Sequence, residues 1–147
     1  GLDLAHLYAD PLLCVAPTGF EPQNRAFVTA QELASLDVVV QGDNCGKDLQ
    51  QMLNAHKISV RSSAQAEDDA AIIAMVESGL GVSVMPQLAL QHYESNVETY
   101  PFFPAESRAI ALACLSHDAL TPAAKEMHAH IIDYVTAWSK GAATAQR

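Results

Sequence analysis

An α/β fold, with a mostly parallel sheet and helices on both faces, is what this sequence of 147 residues predicts. Three observations lead there. Short continuous apolar runs, Leu12 to Ala16, Val38 to Val40 and Val82 to Met85, read as strands buried on both faces. Apolar stripes at helical spacing fall between them, Leu49, Met52, Leu53 and His56 in one stretch and Ile72, Met75, Val76 and Leu80 in another. Strand followed by helix, repeated, implies right-handed crossovers and parallel neighbours.

Each element follows from local signals. Leu2, Leu4 and Leu7 make a short apolar start, and Pro11 and Pro17 bound the first strand. Thr18 to Arg25, with Gly, Pro, Gln and Asn, reads as a loop. Thr29 and Glu32 have capping-box spacing, with Val28 and Leu33 placed to staple a short helix running to about Leu36. The strand Val38 to Val40 ends in the polar loop Gln41 to Gly46. The Leu49 helix leads to a third strand, Ser59 to Gln65.

Ala66 to Pro86 specifies the most in the fewest residues. Glu67, Asp68 and Asp69 crowd a helix start, where carboxylates meet the positive end of the dipole. Gly79 is placed to take a left-handed helix stop, and Gly81 lets the backbone pass closely into Val82-Ser83-Val84-Met85. Pro86 ends that strand and opens a short helix reaching Tyr93. Val97 to Phe103 follows as a strand interrupted by Pro101, then a turn at Pro104 and Glu106, then the strand Ala109 to Leu115. Thr121 as N-cap and Pro122 as first residue open a last helix, with Met127, Ile131, Tyr134, Val135 and Trp138 on one side and a fraying end at Gly141 to Arg147.

Composition removes several classes of function. Seventeen Asp and Glu against eight Lys and Arg leave a net charge of −9, which repels phosphate backbones, so this segment is not expected to bind DNA by itself. Three widely spaced cysteines, Cys14, Cys45 and Cys114, give neither an even disulfide framework nor a zinc pattern, and point to a reducing cytoplasm. Apolar runs fall short of the roughly 20 residues that span a bilayer, and no charged-then-apolar leader opens the chain. No G-x-S-x-G elbow, Gly-rich phosphate loop or metal motif accompanies the serines and histidines, so an enzyme is not expected. His128 and His130, two apart on a helix, diverge and do not suit a metal.

The order acidic helix start, then I-I-A-M-V-x-S-G-L-G-V-x-V-M-P, resembles the effector-binding domain of LysR-type transcriptional regulators. DPLLCVAP, VTAQELASLDVVVQ, SRAIALACL and TPAAKEMHAHIIDYV agree with that family in sequence order, so the likeness spans nearly the whole chain. It implies a two-lobed fold similar to type 2 periplasmic binding proteins. Residues 1–118, and Pro11 to His117 most clearly, correspond to the second lobe with its hinge strands, Leu12 to Ala16 and Ala109 to Leu115. Residues 119–147 correspond to a C-terminal helix of the first lobe and a frayed tail. The likeness also implies that the helix-turn-helix, the linker helix and half of the first lobe lie outside this sequence.

In parallel sheets ligands lie beyond the carboxyl ends of strands, so the loops after Val40 and Gln65 are expected to share one crevice. The resemblance places effector contacts at Gln41, Gly42, Asp43, Asn44 and Cys45, and at Glu67 and Asp68. Gln41 and Asn44 can donate and accept, and the N–H groups of Cys45, Gly46 and Lys47 are placed to hold a carboxylate. Glu67 opposes an anionic effector and suits an amine or hydroxyl group. The partners implied are a small-molecule effector, DNA through an N-terminal helix-turn-helix outside this chain, and further copies in a dimer or tetramer, with no membrane and no cofactor.

Two other readings are set beside this one. A lobe of a solute-binding transport protein would share the fold. A peroxide sensor would use Cys45, which falls at the reactive-cysteine position of peroxide-sensing members of the family, near Lys47 and a helix N-terminus that favour a thiolate. Asn54 stands where their resolving cysteine would be, so the same disulfide cannot close. Cys14 and Cys114, in the hinge strands, read as buried thiols acting as small hydrophobes.

Overall fold

The computed structural model describes residues 1–42 and 47–145, and for 142–145 the backbone alone. The chain divides into two compact units, Pro11–Arg108 and Gly1–Asp10 with Ala109–Arg147, and the division falls inside its two longest strands. These are β1 (Asp3–Pro17) and β6 (Ser107–Cys114), which pair with each other. The short apolar start read near Leu2 is therefore continuous with the strand that follows it.

Within Pro11–Arg108 the order is α1 (Ala30–Leu33), β2 (Asp37–Gln41), α2 (Lys47–His56), β3 (Arg61–Ala66), α3 (Asp69–Glu77), β4 (Ser83–Pro86), α4 (Gln87–Leu90) and β5 (Val97–Pro101). Parallel pairing is found where crossover helices intervene. β2 pairs with β3 in parallel from Asp37 with Arg61 to Gln41 with Ala66, and Val38 bridges Val82 in parallel. The ladders of β1 with β4 and with β5 run antiparallel, Leu13 facing Met85 on one side and Pro101 on the other. The expected mostly parallel sheet is thus found only in part: the two-stranded β2–β3 sheet is parallel, whereas in the four-stranded sheet the β4 and β5 ladders on β1 are antiparallel.

Alternation along β2 sends side chains to opposite faces, and each face has its own helices. Val38 packs with Leu33 of α1 and Leu49, Met52 and Leu53 of α2, whereas Val39 packs with Ile72, Ile73 and Val76 of α3 and Met85 of β4. All of these side chains are buried; of the stripe expected on α3, Ile72 and Val76 are buried and Met75 partly so, while Ile73 takes the place expected of Leu80. The cause is a helix stop in which the Leu80 N–H bonds the Met75 carbonyl at 3.1 Å and the Gly79 N–H bonds the Val76 carbonyl at 2.9 Å. Gly79 supplies the left-handed turn at φ +81°, and the Leu80 side chain is thrown outward, 48% exposed. Gly81 is required by contact as well as by φ, since a Cβ there would run into the Asp37 backbone carbonyl.

The capping box at Thr29 is half formed. Thr29 Oγ1 accepts from the Glu32 N–H at 3.1 Å, and Val28 and Leu33 are buried in one cluster as a staple requires. Glu32, however, turns its carboxylate to the Gln23 N–H at 2.8 Å, because the Thr18–Arg25 loop folds over it and offers that donor. The α-helix ends at Leu33, and tighter turns continue to Leu36 through the Ser35 and Leu36 N–H groups. α4 is similarly shorter than its expected span, ending at Leu90 with turns to Tyr93.

In the other unit, α5 (Pro122–Ala145) opens with Thr121 Oγ1 accepting from the Ala124 N–H at 3.3 Å. It continues through Gly141 to Ala145 in the region expected to fray, where three alanines favour the helix. Among the described residues no helix is long and apolar enough to cross a membrane.

Candidate functional site

The ends of β2 and β3 lie side by side, which brings the two loops named by the sequence to one place. The Gly42 N–H donates to the Ala66 carbonyl at 2.9 Å, carrying the parallel ladder one residue beyond β2. Gln41 Nε2 donates to Asp69 Oδ1 at 3.0 Å, so the residue leaving β2 holds the first residue of α3. Gly42 is buried beneath the Glu67 side chain, and a Cβ added to Gly42 would run into the Glu67 carboxylate.

The three acids at the start of α3 take three different roles. Asp68 is the N-cap, in extended backbone conformation, and its Oδ1 accepts from the Ala71 N–H at 2.9 Å. Asp69 is half-buried and engaged by Gln41. Glu67 is exposed, precedes the cap, and makes no hydrogen bond to any described residue. An acceptor held over a glycine at a helix entry favours a donor or a cation and opposes a carboxylate, by ordinary charge complementarity. Asp69 ends the helix start at which effector contacts are expected, and its i, i+28 pairing with Gln41 is visible only once β2 and β3 are in register.

Of the other expected contacts, Asp43, Asn44 and Cys45, with Gly46, lie outside the described residues. Lys47 begins α2 and is exposed, and Asn54 is exposed on the same helix, hydrogen-bonded to Gln50 Nε2 at 3.1 Å. Cys14 is buried, and burial first, with the nearby Glu32 carboxylate second, pushes its thiol up to about 12, which keeps it protonated and unreactive. Cys114 is half-buried. Among the described residues no group of His, Cys, Asp and Glu has the geometry to hold a metal. His117 and His128 meet edge to face, with ring centroids 4.9 Å apart.

A family model described as the LysR substrate binding domain matches residues 1–136. The chain belongs to this LysR substrate-binding family. Solved structures with the same fold include the effector-binding domain of QuiR in complex with shikimate, at TM-score 0.73 and 22% identity, covering 92% of this chain and 66% of that one. Full-length BenM superposes at TM-score 0.81 with 13% identity, covering 95% of this chain and 48% of that one. The reduced OxyR regulatory domain from Pseudomonas aeruginosa gives TM-score 0.67 with 22% identity, covering 91% of this chain and 65% of that one. This LysR-family chain therefore spans about two thirds of the matched regulatory domains and about half of the full-length regulator. Among curated proteins none matches the sequence significantly.

Proposed function

We propose that this chain is the effector-sensing part of a LysR-type transcriptional regulator, acting in the cytoplasm. A small molecule binds at the adjoining ends of β2 and β3, against Gln41, Gly42 and the loop to Gly46 on one side and Glu67 to Asp69 on the other. Pro11–Arg108 serves as the second lobe and the remaining unit as the part of the first lobe carried by this sequence. Binding biases lobe closure only by the difference in affinity for the two states, typically 1–3 kcal/mol of coupling. An oligomer of the parent protein passes that bias to helix-turn-helix domains on DNA.

The observation that carries the reading is the contact between the two loops, Gly42 N–H to the Ala66 carbonyl and Gln41 to Asp69. Family membership supplies the function class, and several solved relatives hold small molecules, shikimate in QuiR among them. Glu67 narrows the effector to one presenting an amine or hydroxyl group to that carboxylate. The test is a thermal-shift screen of amines, polyols and carboxylates against the wild type, repeated with Glu67→Gln and Asp69→Asn. The expected result is stabilisation by an amine or hydroxyl compound, with affinity reduced about tenfold in Glu67→Gln, the size of one charge-assisted hydrogen bond. Stabilisation by carboxylates alone, or hits indifferent to both substitutions, would overturn it.

A further inference from the structure

A second recess lies on the α2 side of the β2–β3 pair, with a volume of about 360 Å³. Its floor is apolar, from Val40, Leu49, Leu53 and Val60. Its rim carries two primary amides, Gln50 and Gln65, and two hydroxyls, Ser59 and Ser62, with Gln41 lining it at the end of β2. None of the described residues lining it is ionisable, although the chain as a whole carries a net charge of −9.

The recess exists because β3 is polar where it meets α2. Leu49, Met52 and Leu53 of α2 cover the β2 side of the sheet, where Val38 and Val40 stand. On the β3 side Ile58 and Val60 pack toward α2 ahead of the strand, but within β3 the lining residues are the polar Ser62 and Gln65, against which the helix does not close. A register shift in the pairing between Val38 and Val39 places Ser62 and Gln65, three apart, on this one side.

The amides retain bonding capacity toward the recess. Gln50 uses its Nε2 group on Asn54, which leaves its amide oxygen as an acceptor. The Gln65 and Ser59 side chains make no hydrogen bond to any described residue, so both donors and acceptors remain. Neutral donors and acceptors around an apolar floor match a ligand with hydroxyl groups on its edge and C–H groups on its face. A charged ligand finds no counter-ion among the described lining residues and loses hydration without compensation from them. The volume lies at the small end of the ~300–1,000 Å³ common to ligand pockets.

We propose that the α2–β3 recess is a binding site for a small uncharged polyhydroxyl compound, separate from the effector face at Glu67. The two share Gln41 alone, so this assignment stands whether or not the effector reading does.

Methyl NMR of the chain tests it with three probes of similar size, neutral myo-inositol, anionic gluconate and cationic glucosamine. Saturable shifts of the Leu49, Leu53 and Val60 methyls with myo-inositol alone are expected. The double substitution Gln50→Ala with Gln65→Ala is expected to weaken them at least about fivefold, the value of one lost neutral hydrogen bond. Both glutamines are exposed, and Ser59→Ala is a second variant at the rim with no packing role. Glu67→Gln is expected to leave myo-inositol binding unchanged. The assignment is overturned by an absence of saturable shifts up to the solubility of myo-inositol, by equal binding of all three probes, by indifference to the glutamine pair, or by loss of binding in Glu67→Gln.

Discussion

Each of the two units of this chain is stabilised internally by different means. Among the described residues every buried apolar side chain falls between Leu12 and Phe102, inside Pro11–Arg108. In the other unit Leu2, Leu4, Leu115, Met127, Tyr134 and Trp138 are all exposed, and Tyr8 meets Trp138 edge to face at 5.1 Å. The first unit is a packed core on both faces of a sheet. The second rests on strand pairing and on the capped, alanine-rich helix α5. The contrast teaches that helix propensity and capping suffice to specify an element, whereas packing is what makes a unit resist substitution.

Truncation is the strongest way to break that contrast. Ile72→Ala, in the core between α3 and the sheet, is expected to cost about 2–5 kcal/mol in urea unfolding. Tyr134→Ala, 66% exposed on α5, is expected to fall within about 0.5 kcal/mol of wild type. Equal effects would erase the distinction.

Two glycines sharpen it. Gly81→Ala sets a Cβ against the Asp37 backbone carbonyl at φ +151°, and a loss on the order of 1–3 kcal/mol is expected because backbone cannot yield. Gly42→Ala meets first the end of the Glu67 side chain, which can swing away. Stability there should hardly change while ligand affinity falls, a separation that paired unfolding and binding titrations would read.

Smaller effects are expected from the polar contacts at the edge of the core. His56 Nε2 and Glu106 Oε1 lie 2.5 Å apart with both side chains about one fifth exposed, and Arg108 reaches Asp48 at 3.3 Å, so α2 is held at both ends to the entry of β6. Glu106→Gln is expected to cost about 0.5–1 kcal/mol by urea unfolding, the range for partly solvated pairs.

Alkaline pH gives a graded probe of the same core. Burial raises Cys14 from 9.0 to about 12, and the bond to Glu98 raises Tyr100 from 10.0 to about 12. Each group keeps its proton longer in the folded chain, so the stability it contributes is complete below the unfolded value and is lost as pH rises through about 12. Glu98 is shifted the opposite way, lowered by the Tyr100 hydroxyl and then by the Gly19 N–H, and its contribution is lost as pH falls through the carboxylate range. Unfolding midpoints are expected to decline from about pH 9 upward, and Cys14→Ala should flatten the decline. A native Cys14 that reacts with a thiol reagent at neutral pH would contradict the burial assigned to it.

The strands, helix stripes and caps were legible in the sequence because each rests on spacing within a few residues. Thr29 and Thr121 as caps, Gly79 as a stop and Leu49, Met52 and Leu53 as a buried face are all of that kind. What was not legible depends on pairing across long separations. The Gln41 bond to Asp69, the Glu32 bond to Gln23, the antiparallel ladders of β1 and the recess beside β3 arise only after register is set. Leu80 belongs there too, since the helical period assigns it inward and the glycine stop turns it outward.

Amide hydrogen exchange with and without the compound selected by the thermal-shift screen is the most direct measurement on the effector face. Slower exchange at Gly42 and across Asp68–Ile72 together is the predicted result, since one molecule would touch the end of β2 and the start of α3. Slowing confined to α5, or to only one of those two segments, would contradict a shared recognition face.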